Sequence, residues 1–288
     1  MKEIESIKML VEEAQQSEKK ISDIVLQYEA LHGETSVEVL TDRMQKSFEV
    51  MKESIISGLD PYLRSMSGLT GGGAYRLLTS INEGKVPSDL IHKAMVKALA
   101  ASEYNACMGR IVAAPTAGSC GIIPAVLITA MEEYKLPEDQ VVKALFTSAG
   151  VGLVVAKKAS ISGAEGGCMA ECGVASAMAA AALVELLGGS PEEVSNAVAI
   201  ALENTMGLAC DPIAGLVELP CVIRNASGAS NAIISASLAM AGLSVLAPAD
   251  EVIKAVDEVG KGMSPSIKET ADGGLAATPA AQEVIVGS

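Results

Sequence analysis

The run VASAMAAAALVELL, residues 174–187, constrains this fold more than any other stretch. Alanine is the best helix former, and the run ends at Gly188-Gly189, which stops a helix. A helix with such short side chains lets its neighbours come close, so it belongs inside a helical core. The rest of the chain agrees. Half of it is hydrophobic, yet only 2% is aromatic, tryptophan is absent and there are 27 glycines. The apolar content is therefore alanine, valine, leucine, isoleucine and methionine, whereas a strand-rich chain draws more on aromatic and β-branched residues. No internal repeat and no alternation of strands with helices is visible. The expected fold class is all-α: a compact bundle of buried, small-residue-rich helices with ligand-bearing loops.

Helical spacing and breakers divide the chain. Residues 1–57 are heavily charged, with apolar positions at Ile7, Leu10, Val11 and Ala14, then Ile21, Ile24, Val25 and Tyr28. They are expected to form amphipathic helices reaching to a partner, broken at Leu31-His32-Gly33-Glu34. Residues 58–288 are expected to form the helical catalytic domain. Within it, helices are predicted from Ser88, a capping residue, to about Cys107, then from near Ile122, and from Pro137-Glu138-Asp139 to about Ser160. Ser190-Pro191-Glu192-Glu193 caps the next, to about Met206. Residues 231–246 form the last long core helix, residues 249–259 an amphipathic one, and residues 262–288 fold over the surface.

The formal net charge of −14 excludes a nucleic-acid binder, which needs a basic surface. The N-terminus is charged throughout and lacks the apolar centre of a secretory signal, so a cytoplasmic location is expected. Residues 225–249 carry no charge and are long enough to cross a bilayer, but Asn225, Asn231, several serines and two glycines favour a buried core helix; no membrane association is expected.

Four of the six cysteines, Cys168, Cys172, Cys210 and Cys221, sit beside glycine, proline or an acid, which places them on loops or helix ends. Without export they are free thiols, metal ligands or catalytic groups rather than disulfides. The spacings are 42 residues from Cys168 to Cys210 and 11 from Cys210 to Cys221, and neither matches a zinc finger or a bacterial ferredoxin. Spacing alone leaves metal ligands and buried structural thiols both open. Two further segments, Ser67-Gly68-Leu69-Thr70-Gly71 and Thr116-Ala117-Gly118-Ser119, read either as helix-linking turns or as anion-binding loops, since consecutive amides and hydroxyls make a concavity for a carboxylate.

The words SGLTGG, MGRIVAAPTAGSCGIIPA, SGAEGGCMAE, MGLACDPIAGLVELPC and IRNA occur in this order, and with them residues 65–247 closely resemble the α chain of bacterial iron–sulfur-dependent L-serine dehydratase. That resemblance implies an all-helical chain that houses a 4Fe–4S cluster, with Cys168, Cys210 and Cys221 as its three ligands. It implies L-serine as substrate, held by the two loops just named, and a separate β subunit that helps complete the pocket. Three thiolates on four irons leave one iron open to act as a Lewis acid on the serine hydroxyl. The resemblance gives no role to Cys107, Cys120 or Cys172. Arg224 is open to contact with the cluster or substrate, or to pairing with an acid such as Glu171; Asn225 and Asn105 are candidates of the same kind. His32 and His92, the two histidines, read as surface residues, so no general base is assigned. A pyridoxal-phosphate dehydratase lacks support beyond the Lys157-Lys158 pair and a glycine run, and hydrolysis at Ser119 lacks a nearby histidine. A non-catalytic helical scaffold is the alternative.

Overall fold

The computed structural model describes residues 3–287. Helix follows helix: α1 (Ile7–Ser17), α2 (Ile21–His32), α3 (Val37–Gly58), α4 (Gly73–Asn82), α5 (Leu90–Ala106), α6 (Ile122–Tyr134) and α7 (Glu138–Lys158) come first. Then α8 (Gly163–Cys168) runs through a π-helical turn (Met169–Gly173) into α9 (Val174–Leu186), followed by α10 (Pro191–Glu203), α11 (Cys221–Met240), α12 (Ala249–Gly262) and α13 (Pro279–Gly287). Among the described residues there is no β-strand, only an isolated bridge between Cys210 and Lys268. The fold is all-α, as composition implies.

The alanine-rich run is the centre of the bundle. Every residue of α9 is buried, and α6, α7, α10 and α11 pack around it. Short side chains permit this enclosure, because interhelical distance follows the size of the contact residues. The one hydroxyl of α9 is paired: Ser176 Oγ donates to the Gly228 carbonyl at 2.9 Å and Asn231 Nδ2 donates to Ser176 Oγ at 2.9 Å. At the start of α10, Ser190 and Glu193 form the capping box that SPEE predicts, worth about 1 kcal/mol.

Three local expectations change. The helix after Ser88 starts one residue later, with the Asp89 carboxylate accepting from the His92 N–H at 3.0 Å, so Asp89 is the cap. The helix expected over 231–246 begins ten residues earlier, at Cys221, and stops at Met240. Asn225 and Gly228 look like loop residues in sequence, but both are buried against neighbouring elements, where Asn225 finds backbone partners. The N-terminal helices do not reach away from the body. Ile7, Leu10, Val11, Ala14, Ile21, Ile24, Val25 and Tyr28 are buried in the common core, with α2 against α7 and α1 against α10. Their charged faces point to water or bridge outward, as Lys157 Nζ does to Glu3 Oε1 at 2.6 Å.

Two helical stretches, Glu138–Lys158 and Gly163–Leu186, are long and apolar enough to cross a bilayer, and the second is wholly buried inside the protein. Both serve as core helices here.

Candidate active site

The cysteine-bearing segments meet at one end of α9. The word AEGGC folds as α8, where Gly167 adopts φ 72°, a left-handed conformation that glycine takes without strain. The chain then re-enters helix through the π turn, and Met169 N–H donates to the Leu208 carbonyl at 3.1 Å. That bond lays Cys168 alongside the segment that carries Cys210. The C-terminal stretch grips Cys210 from the other side: Cys210 N–H donates to the Ile267 carbonyl at 2.9 Å and Glu269 N–H to the Cys210 carbonyl at 2.6 Å. Residues 262–288 therefore do more than cover the surface. Cys221 opens α11, its thiol buried at the helix N-terminus.

The electrostatics record this proximity. Burial pushes the Cys210 thiol up, and the Cys168, Glu171 and Cys221 charges add to the effect. Burial likewise pushes Cys221 up to about 12, with Cys168 the next contributor. Cys168 moves the other way, because the Cys172 thiol donates to it and Arg224 lies near. Cys168 is therefore the most readily ionised thiol of the group, and Cys172, almost fully buried and raised, is its hydrogen-bond donor. Arg224 does not pair with Glu171. Its Nη1 donates to the Ala209 carbonyl at 2.7 Å and its Nη2 to Asp211 Oδ1 at 2.8 Å, while Asp211 Oδ2 accepts from Leu275 N–H at 2.8 Å. The guanidinium thus braces the Cys210 segment against α11 and the C-terminal stretch.

Next to the cysteine segments, on the far side of Glu171, lies a cavity of about 610 Å³, lined among others by Asn105, Thr116, Gly118, Glu171, Glu218 and Glu269. The Glu171 carboxylate is wedged between two glycines. A Cβ on Gly118 would collide with Glu171 Oε1, and one on Gly163 would sit 3.0 Å from Cys210 Sγ and 3.1 Å from Glu171 Oε2. Burial, then the charge of Glu269, pushes the Glu171 carboxyl up.

The Thr116–Ser119 loop is tied to the Cys221 helix by a single residue. Asn225, fully buried, donates from Nδ2 to the Gly118 carbonyl at 2.7 Å and to the Cys221 carbonyl at 2.9 Å, and accepts from Gly121 N–H at 2.9 Å. Asn105 Nδ2 reaches the Ala117 carbonyl at 3.2 Å, and the Thr116 and Ser119 hydroxyls stand 3.2 Å apart. Thr116, Ala117 and Gly118 line the cavity; Ser119 is buried behind them.

The 67–71 loop already holds internal carboxylates. The hydroxyls of Ser67 and Thr70, with that of Ser65, donate to Glu218, and the N–H groups of Gly71, Gly73 and Ala74 donate to the buried Glu103. Leu69 N–H bonds to Ser67 Oγ at 3.1 Å, and Gly68 has open space around it.

A sequence model of the serine dehydratase alpha chain family matches residues 16–276. The chain belongs to this family. It is 46% identical over 280 residues to the probable L-serine dehydratase, alpha chain, of Bacillus subtilis, an alignment covering 97% of this chain and 93% of that protein. It is 47% identical over 266 residues to the L-serine dehydratase, alpha chain, of Peptoniphilus asaccharolyticus, covering 92% and 91%. L-serine dehydratase TdcG of Escherichia coli is 46% identical over 204 residues, which is 70% of this chain but 45% of that longer protein.

For a serine dehydratase alpha chain the donor set has a definite chemistry. Among the described residues, no three His, Cys, Asp or Glu side chains converge as ligands of one ion. A polynuclear cluster makes a different demand, since each thiolate binds a separate metal and the sulfurs stand farther apart. Three buried thiols in mutual electrostatic reach are the donor set that a sulfur-ligated cluster of that kind takes. Cys120 faces away, its thiol pushed up to about 12 by burial and 3.9 Å from the Ala101 carbonyl. Cys107 is half-buried at the end of α5. The histidines are far from this chemistry: His32 Nδ1 bonds the Tyr28 carbonyl and His92 Nδ1 bonds Asp89, both on helix surfaces.

Sequence reasoning named Glu171 only as a candidate partner of Arg224, and gave no place at the site to Glu171, Glu218 or Glu269. The first two left a trace, as lone charges inside the otherwise uncharged words GGCMAECG and GLVELPC. Glu269 left none, because only the folding of the C-terminal stretch brings it to the cavity.

Proposed function

We propose that this chain is the alpha subunit of an L-serine dehydratase that converts L-serine to pyruvate and ammonium, and that Cys168, Cys210 and Cys221 hold its 4Fe–4S cluster. The observation that supports the proposal is that these three buried thiols, from segments far apart in sequence, lie within electrostatic reach of one another and of Glu171, which lines the cavity walled by the Thr116–Gly118 loop. When bound, the cluster supplies an open iron, a Lewis acid for the serine hydroxyl and carboxylate.

The chain's own residues do the rest. Thr116, Ala117 and Gly118 hold the substrate from one wall of the cavity, with Ser119 buried behind them, and the loop of Ser67, Gly68, Leu69, Thr70 and Gly71 shapes the opposite wall through Met66 and Glu218. Asn225 keeps the first loop in register with Cys221. The mostly apolar rim of Met66, Met108, Leu216 and Val217 limits water around the reacting hydroxyl. Loss of water from serine leaves an aminoacrylate, which tautomerises to an imine and hydrolyses to the two products. A β subunit completes the pocket. Relatives of this length are named alpha chains, and an L-serine dehydratase more than twice the aligned length exists as one chain. The enzyme is placed in the cytoplasm.

The test is anaerobic purification of the chain with and without its partner, with iron, sulfide and serine turnover measured on each. About four irons and four sulfides per chain are expected, with broad absorption near ~400 nm. Turnover is expected to be low for the chain alone and restored by the partner. Full activity from a colourless protein would refute the cluster, and high activity from the isolated chain would refute the need for a partner.

A further inference from the structure

Glu218 lies three residues before Cys221 and is 6% exposed. Its Oε2 accepts from Ser65 Oγ at 2.6 Å, Ser67 Oγ at 2.8 Å and Thr70 Oγ1 at 3.0 Å, and its Oε1 accepts from Ser67 Oγ at 2.9 Å. Three neutral hydroxyls from one six-residue loop thus satisfy a buried carboxylate, a group that is costly to leave unpaired. The same residue also holds the start of α11, because its carbonyl accepts from Val222 N–H at 2.8 Å.

The loop does not need Glu218 to close. Ser65 N–H donates to the Thr70 carbonyl at 3.0 Å and Gly68 N–H to the Ser65 carbonyl at 3.0 Å, so the turn is made by its own backbone. Ser65 and Thr70 are buried at the loop's ends, but its tip lacks packing. Met66, at its tip, is 88% exposed, and Ser67 and Gly68 are exposed beside it. Glu103 ties the far end of the loop to α5 through the Gly71 N–H, and the Glu218 carboxylate ties it to the cysteine turn. Met66 and Glu218 both line the cavity, so a displaced loop changes its width.

We propose that Glu218 is a positioning residue for the substrate: it fixes the 65–70 loop against the turn before Cys221 and so sets the width of the cavity. With the Ser67 and Thr70 hydroxyls committed to Glu218 and the Gly68, Leu69, Thr70 and Gly71 N–H groups bonded within the protein, the loop acts on the substrate through the cavity wall that Met66 and Glu218 form. The substrate part of this inference rests on the dehydratase reading above; the placement of the loop does not.

The experiment compares Glu218→Ala, Glu218→Gln and Glu218→Asp in the anaerobically prepared holoenzyme. It measures kcat and KM for L-serine, iron content, and amide hydrogen exchange over residues 65–70. Glu218→Ala is expected to raise KM about tenfold with kcat within about threefold, the pattern of lost binding rather than lost chemistry. Iron content stays at the wild-type level, and exchange over 65–70 accelerates. Glutamine keeps the reach and an acceptor oxygen and recovers most of the KM. Aspartate falls one methylene short and does not. Unchanged KM in Glu218→Ala overturns the proposal, as does a parallel loss of iron and kcat, or rescue by Asp equal to rescue by Gln. If wild-type holoenzyme fails to turn over L-serine, the dehydratase reading falls while exchange still decides the placement. Unchanged exchange over 65–70 in Glu218→Ala then overturns it.

Discussion

Replacing Asn225 by alanine removes the staple between the Thr116–Ser119 loop and the Cys221 helix. The Asn225 amide serves three backbone groups at 2.7, 2.9 and 2.9 Å from a fully buried position. The Cys221 carbonyl lies in the first turn of α11, where the Asn225 backbone N–H is its regular helical partner. Truncation therefore orphans two groups, the Gly118 carbonyl and the Gly121 N–H. A buried unsatisfied group costs about 1–3 kcal/mol, so the loss is about 3 kcal/mol with a small cavity term added. With a urea slope of about 3 kcal/mol/M, the unfolding midpoint should fall by about 1 M. Aspartate is the sharper probe. It keeps the shape and the acceptor for Gly121 N–H, but turns a second oxygen toward the Gly118 and Cys221 carbonyls. Asn225→Asp at pH 7 is thus expected to be no more stable than Asn225→Ala. Urea titrations followed by circular dichroism check both. If Asn225→Asp matched the wild type, or Asn225→Ala moved the midpoint by less than about 0.3 M on the same slope, the staple argument would be refuted.

Other outcomes follow from the same geometry. Cys168→Ala, Cys210→Ala and Cys221→Ala should each abolish iron binding and activity, whereas Cys172→Ala, which removes only a donor to Cys168, should keep both; iron content and visible absorbance of anaerobic preparations decide it. Gly118→Ala drives a methyl group into the Glu171 carboxylate and should cost about 1–3 kcal/mol together with most of the turnover, measured by thermal unfolding and serine kinetics; a neutral result would show that the carboxylate moves freely. Glu138 is held below its ordinary value of 4.5 by hydrogen bonds from Lys52 and then Gln45, so its stabilisation is present above pH 4.5 and is lost as pH falls through the lowered value. Because the Lys52 pair is partly exposed, Glu138→Gln should cost less than about 1 kcal/mol at pH 7, and its unfolding midpoint should converge on the wild type once the pH is below the lowered value.

The helical class and the central helix were legible because alanine content and stop signals act locally, and SPEE at Ser190 names its own cap. Two other helices were hidden for a reason of chemistry. Half of α8 is glycine, and the first half of α11 carries Asn225, Ser227, Gly228 and Ser230, all residues whose preference is for turns. Their helical state depends on partners that lie elsewhere in the chain, such as Leu208 for Met169 and Gly118 for Asn225. The site shows the same division. Cysteines and glycine loops announce themselves by residue type. Glu218 and Glu171 are ordinary acids until the fold places three hydroxyls around one and two glycines against the other. The N-terminal helices carried a correct apolar stripe, but charge pattern alone does not tell which surface that stripe meets.

The enclosure of α9 limits how this chain can diverge. An amphipathic helix such as α12 has an outward side, where Lys254 and Glu258 meet water and can be exchanged with little consequence. Every position of α9 is instead walled in, and six of its thirteen residues are alanines, with a side chain only one carbon long. A larger residue has no solvent into which it can turn, so it must push apart the helices that bring Cys168, Cys210 and Cys221 together. Substitutions there have to be matched on a facing helix at the same time. Drift in this family is accordingly expected to spare the spine and collect on the outer helices, which makes α9, rather than the cysteines alone, a fingerprint by which remote members can be found.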